Sequence, residues 1–120
     1  MAAPNIVNVS SILGKTDVLS VTTTVTAITT CAADKVCKIN SLVVANIDGV
    51  NVADITVELF RGGVGYRIAS TVTVPADATL VVLSKDMGLY LEEGDALHCT
   101  ASANGDLQAV CSYELLESVV

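Results

Sequence analysis

Apolar and polar side chains alternate along most of this chain, and no stretch of 11 or more residues keeps a helical period. A period of two marks a strand with one dry face and one wet face. The pattern predicts strands near residues 5–9, 17–31, 35–46, 53–61, 66–74, 79–84, 88–92, 96–103 and 107–115. Turn chemistry divides them: "AADK" at 32–35, "NIDGVN" at 46–51, "RGGVG" at 61–65, "PADA" at 75–78, "SKDMG" at 84–88, "EEGD" at 92–95 and "NGD" at 104–106. Gly, Asn, Asp and Pro accept the backbone angles that reverse a chain. Short strands at roughly ten-residue spacing, with no helix between them, predict an all-β fold. The expected form is a single antiparallel β-sandwich, jelly-roll-like, with about eight short strands and little or no helix. "VTTTVTAITT" at 21–30 is Thr-rich, but it alternates and reads as strand.

The ends are less regular. Ile6, Val7, Val9, Ile12 and Leu13 are apolar among Asn and Ser, and the tail carries Leu116, Val119 and Val120. Residues 1–15 therefore read as an arm or edge strand, 16–117 as the sandwich and 118–120 as a tail. The apolar residues of both ends are the candidate subunit contacts.

Composition adds a reason to expect contacts. Of 120 residues, 52% are hydrophobic and only 16% charged, against about a quarter charged in an ordinary soluble domain. Aromatics are 3% and Trp is absent, so the apolar content is small, aliphatic and largely β-branched, which suits sheets. So little charge suggests a surface partly covered by neighbours, and a homo-oligomer is expected. A net charge of −7 argues against nucleic acid, where affinity comes from neutralising phosphates, and against anionic membranes. No apolar run approaches the ~18 residues of a spanning helix. The first residues have no basic start and no continuous apolar core, so no secretory signal is expected.

The cysteines are Cys31, Cys37, Cys99 and Cys111. With 104–106 as a hairpin loop, Cys99 faces Cys111 across a strand pair; with 33–35 as loop, Cys31 faces Cys37. Zinc favours close pairs of thiolates, and these spacings are wide. Disulfides need an oxidising compartment, and direct cross-strand geometry strains them. The four are expected to be free, buried neighbours acting as small hydrophobes. Leu97, Cys99, Ala101 and Ala103 share one face, as do Leu107, Ala109, Cys111 and Tyr113.

No catalytic constellation emerges, and the chain is read as no enzyme, with no cofactor or metal. His98, the single histidine, points away from Cys99 by strand alternation, so the two form no nucleophile–base pair. "RGGVG" lies between strands, whereas a phosphate loop opens a helix. Glu92 and Glu93 are adjacent and point to opposite faces, while a catalytic pair must converge. Calcium wants 6–8 oxygens, more than "EEGD" offers. That segment reads as a solvated turn.

"VPADATLVV", "LYLEEGD", "TASANGDL" and "SYE", with "KINSLVVANIDG" upstream, resemble the small β-sandwich virion proteins of tailed bacteriophages, cyanophages and other marine phages among them. The resemblance spans residues 35–117 and consists of turns and strands rather than chemistry. It implies a non-enzymatic structural role in the virion, assembled in the bacterial cytoplasm. The expected role is a capsid decoration (cement) protein that binds the major capsid protein and copies of itself. The alternatives are a neck, tail or fibre-attachment component and, more distantly, a carbohydrate- or calcium-binding adhesion module. The cysteines are not part of the family pattern.

Overall fold

Alternating aliphatic residues carry the chain into nine strands in a computed structural model, which describes residues 9–117. They are β1 (Ser11–Ser20), β2 (Thr26–Thr30), β3 (Lys35–Asn46), β4 (Ala53–Arg61), β5 (Val64–Val74), β6 (Thr79–Leu83), β7 (Leu89–Leu91), β8 (Ala96–Ala101) and β9 (Leu107–Glu117). The helical content among the described residues is a 3-10 turn, Lys85–Met87, closed by Gly88 at φ 58°. Two antiparallel sheets pack as a sandwich. The larger has the order β1-β9-β3-β6, with β7 also on β3; the smaller has the order β2-β8-β4-β5. If β6 and β7 count as one strand broken by the 3-10 turn, this is the order of a jelly roll.

The core lies between the inner faces. Cys37, Ile39, Leu42 and Val44 of β3 and Leu107, Ala109, Cys111 and Tyr113 of β9 meet Ala53, Ile55 and Val57 of β4 and Leu97, Cys99 and Ala101 of β8. In β3 the inward residues are odd-numbered before residue 40 and even-numbered after it. The cause is a bulge against β9 between Ile39 and Ser41. Without that extra residue, the second half of β3 would turn its apolar set outward. A bulge also kinks β5, where Thr71 takes φ 51° and its N–H donates to Thr56 Oγ1 at 3.0 Å.

The continuous strand expected over 17–31 is two strands in different sheets. Val21 N–H donates to Leu107 O in the larger sheet, and Thr22 O accepts from Ala101 N–H in the smaller. The chain changes sheets at that peptide, and alternation survives the change, so periodicity does not reveal it. Thr hydroxyls hold the corner: Thr22 Oγ1 accepts from Thr24 N–H at 3.2 Å and Thr26 Oγ1 donates to Thr24 O at 3.0 Å. Residues 11–15, expected to belong to an arm or edge strand, open β1, the edge strand of the larger sheet.

Candidate interaction face

The two outer faces of the sandwich differ in chemistry. On the smaller sheet, Asp54, Thr56 and Glu58 of β4 lie beside Thr73 and Arg67 of β5 and Thr100 and His98 of β8. Arg67 pairs with Glu58 at 3.3 Å, and His98 stacks on Phe60 with ring centroids 4.4 Å apart. This is the polar outer face usual for an antiparallel sheet.

The larger sheet is different. Its register places Val18, Val110, Val43 and Val81 side by side across β1, β9, β3 and β6. Val18 is 74% exposed and Val81 57%. The row on one side is Thr16, Ser112 and Ser41; the row on the other is Ser20, Gln108, Ala45 and Thr79. Farther along come Gly14, Glu114, Lys38 and Tyr90, then Ile12, Leu116 and Val36. Within these rows the ionised groups are Lys38 and Glu114, and they pair with each other at 3.7 Å. The face is close to neutral although the chain carries a net charge of −7. Two signals for it stand in the sequence: the valine doublets at 43–44 and 81–82 each place one valine outside. Their alignment into one row needs the register of three strand pairs, which periodicity does not carry.

The candidate contacts divide as follows. Ile12 and Leu13 are exposed on β1, at 61% and 51%. Val9 is half-buried, and Leu116 is buried in β9, which leaves it little surface to offer a partner. Ile6, Val7, Val119 and Val120 lie outside the described residues.

All four cysteines are buried and free. The hairpin pairings expected for them do not occur, because β8 and β9 belong to different sheets, as do β2 and β3. Cys99 lies opposite Val57 and Thr26, and Cys111 opposite Leu42 and Asp17. Cys99 and Cys111 face each other across the core, and burial followed by Cys111 pushes the Cys99 thiol up to about 12. Cys31 and Cys37 also lie near each other in the core, and burial first, followed by Cys31, pushes the Cys37 thiol up to about 12. Cys31 Sγ–H donates to Lys35 O at 3.2 Å. Protonated, buried thiols are poor nucleophiles at neutral pH.

The "EEGD" turn departs from the solvated reading in one residue. Gly94 takes φ 81°, a turn angle that suits glycine. Asp95 is only 3% exposed and receives the Arg61 guanidinium from β4 on both carboxylate oxygens. It also accepts from Glu92 N–H at 2.8 Å. The guanidinium hydrogen bonds hold the Asp95 carboxyl below the usual carboxylate range. Glu92, outside, pairs with Arg61 at 2.9 Å, and Glu93 accepts from Asp34 N–H at 2.6 Å. The carboxylates therefore fasten the β7–β8 turn to the β4 end and the β2–β3 turn. No group of three or more His, Cys, Asp or Glu side chains among the described residues is arranged to hold a metal ion.

Neither a protein-family model nor a curated protein matches the chain. What fold and surface define is a jelly-roll β-sandwich with one polar outer face and one neutral, valine-rich outer face.

Proposed function

We propose that this chain is a non-enzymatic structural protein of a tailed-phage virion: a decoration protein on the outside of the head, docked through the outer face of its larger sheet. The observation that carries the reading is the row Val18, Val110, Val43 and Val81, set in Ser, Thr, Gln and Ala and opposed by a polar face on the other sheet. Burying exposed valines against an apolar patch of the shell contributes roughly 1–2 kcal/mol each. That gain multiplies over every copy on the lattice and raises the work needed to pull shell subunits apart. The resemblance of residues 35–117 to phage virion proteins supplies the partner. Jelly rolls recur in viral capsid domains, and the fold agrees with the reading.

Mixing the purified protein with undecorated heads and imaging the particles tests the proposal. Saturable binding at regular lattice positions, lost in V81D while that variant stays folded, is the expected result. Binding only at the vertex or along the tail transfers the role to a neck or tail component. Absence of binding to particles sinks both.

A further inference from the structure

The free edge of β1 points to a partner for it. β1 pairs with β9 along its whole length, and among the described residues no strand pairs its other edge. Val21 N–H bonds Leu107 O in continuation of that register. The odd-numbered residues of β1 therefore direct their backbone groups at β9. The even-numbered ones, Ile12 to Ser20, direct theirs at the open edge. Among the described residues the N–H and C=O groups of these five residues have no strand partner, and such an edge is a template for a further strand.

The sequence of this edge, "LGKTDVL" at 13–19, reads as its own complement. We propose that two copies of this chain pair edge to edge through β1, antiparallel about a two-fold axis at Thr16. In that register Leu13 lies opposite Leu19 of the second copy and Lys15 opposite Asp17. Gly14 lies opposite Val18 and Ile12 opposite Ser20. Thr16 of each copy exchanges backbone hydrogen bonds with the other.

Several observations converge on this register. Lys15 and Asp17 are brought together as opposite charges at directly facing positions. Centring the pair on Lys15 or on Asp17 instead sets like charges face to face. Shifting by a single residue mismatches both the ladder and the two faces. A Cβ placed on Gly14 meets nothing within 4 Å, so there is open room beside the exposed Val18 of the partner. A shallow groove of about 320 Å³ on the outer face, lined by Val18, Ser20, Gln108 and Val110 with the backbone of Leu19 and Ala109, lies where Ile12 of the second copy arrives opposite Ser20. The pairing joins the two larger sheets into one and makes their neutral outer faces continuous. It concerns the edge rather than the face, and it holds whether or not the chain decorates a phage head.

Sedimentation or light scattering of the isolated protein over a range of concentrations is the test. The expected result is a concentration-dependent dimer that weakens as salt is raised. T16P removes an N–H that faces the open edge and leaves the β9 ladder alone. It is expected to weaken dimerisation at least about tenfold, the loss of two backbone hydrogen bonds. K15E places like charges opposite each other and is expected to weaken it too, while V81T, away from the edge, keeps the dimer. Circular dichroism checks folding, and if T16P fails to fold, K15E decides. A wild-type monomer at every concentration, a trimer, or a dimer indifferent to a folded T16P or K15E overturns the proposal. Head-binding results do not enter, so failure of the docking reading remains distinguishable.

Discussion

Arg61 and Asp95 form a two-pronged ion pair across one end of the smaller sheet, with Nε 2.9 Å from Oδ1 and 3.0 Å from Oδ2. Arg61 is the last residue of β4, and Asp95 is the residue before β8, which pairs with β4. Ladder and ion pair hold the same two strand ends. D95N keeps an acceptor for Glu92 N–H but loses the charge, and about 2 kcal/mol of stability is expected to go with it. D95A is expected to cost more. Denaturant unfolding measures both, and a D95A midpoint equal to wild type would mean that the pair contributes nothing.

The same carboxylate sets a pH dependence. Its folded pKa is lowered, by the Arg61 hydrogen bonds first. A depressed carboxylate stabilises the fold fully above the unfolded value of about 4, and that contribution is lost as pH falls through the folded value. Acid unfolding of D95N is expected to be shallower than that of wild type between about pH 5 and pH 2. Parallel acid titration curves would contradict this.

The thiols predict an alkaline counterpart. Cys37 and Cys99 are pushed up to about 12 by burial. Groups with raised folded pKa values stabilise below the unfolded value of about 8.5, and the contribution is lost as pH rises toward the folded one. Stability is expected to fall from about pH 9 upward. At pH 8 an aromatic disulfide reagent is expected to label almost none of the four cysteines in the native protein and all of them in denaturant. Rapid native labelling would place a thiol at the surface.

Thr71 holds φ 51°, an angle that costs a β-branched residue on the order of 1–2 kcal/mol. Its N–H donates to Thr56 Oγ1, a bond that T71G keeps. T71G is expected to raise stability by up to about 1 kcal/mol, because glycine's greater freedom in the unfolded chain offsets part of the relief. A thermal midpoint lowered by T71G would show that this angle carries no strain.

Thr29, buried in β2, donates from Oγ1 to Asp17 Oδ2 at 3.0 Å and so ties the edge strand β1 to the opposite sheet. Burial first, and then the nearby Asp17 carboxylate, push the Tyr113 phenol up to about 12. T29V keeps the shape and removes the Thr29 tie, at an expected cost of about 1 kcal/mol. Amide exchange is expected to quicken in β1 more than in β3 or β9. Uniform quickening would mean that Thr29 supports the whole core instead.

Much of the secondary structure was legible because strand direction and turn chemistry are local. β3 and β4 have the ends that alternation predicts, at 35–46 and 53–61. The errors share one cause. Alternation says which side of a strand is dry, but not which strand lies next to it. Val21 and Thr22 keep the alternation while the chain passes from one sheet to the other. Cys99 and Cys111 face each other as inward residues, but across the core rather than within a hairpin, since the 104–106 loop joins the two sheets. Asp95 was read as wet because turns usually are, and nothing local announces an arginine arriving from 34 residues away.

By itself the sequence determined a β-sandwich of aliphatic core, its turns and its inward-facing thiols, because each depends on side-chain order along one strand. Tertiary structure decided the jelly-roll strand order, the row of four valines, the inter-sheet meeting of the thiols and the burial of Asp95. Each of those depends on the register between strands far apart in the chain, and that register is set by how the two inner faces pack.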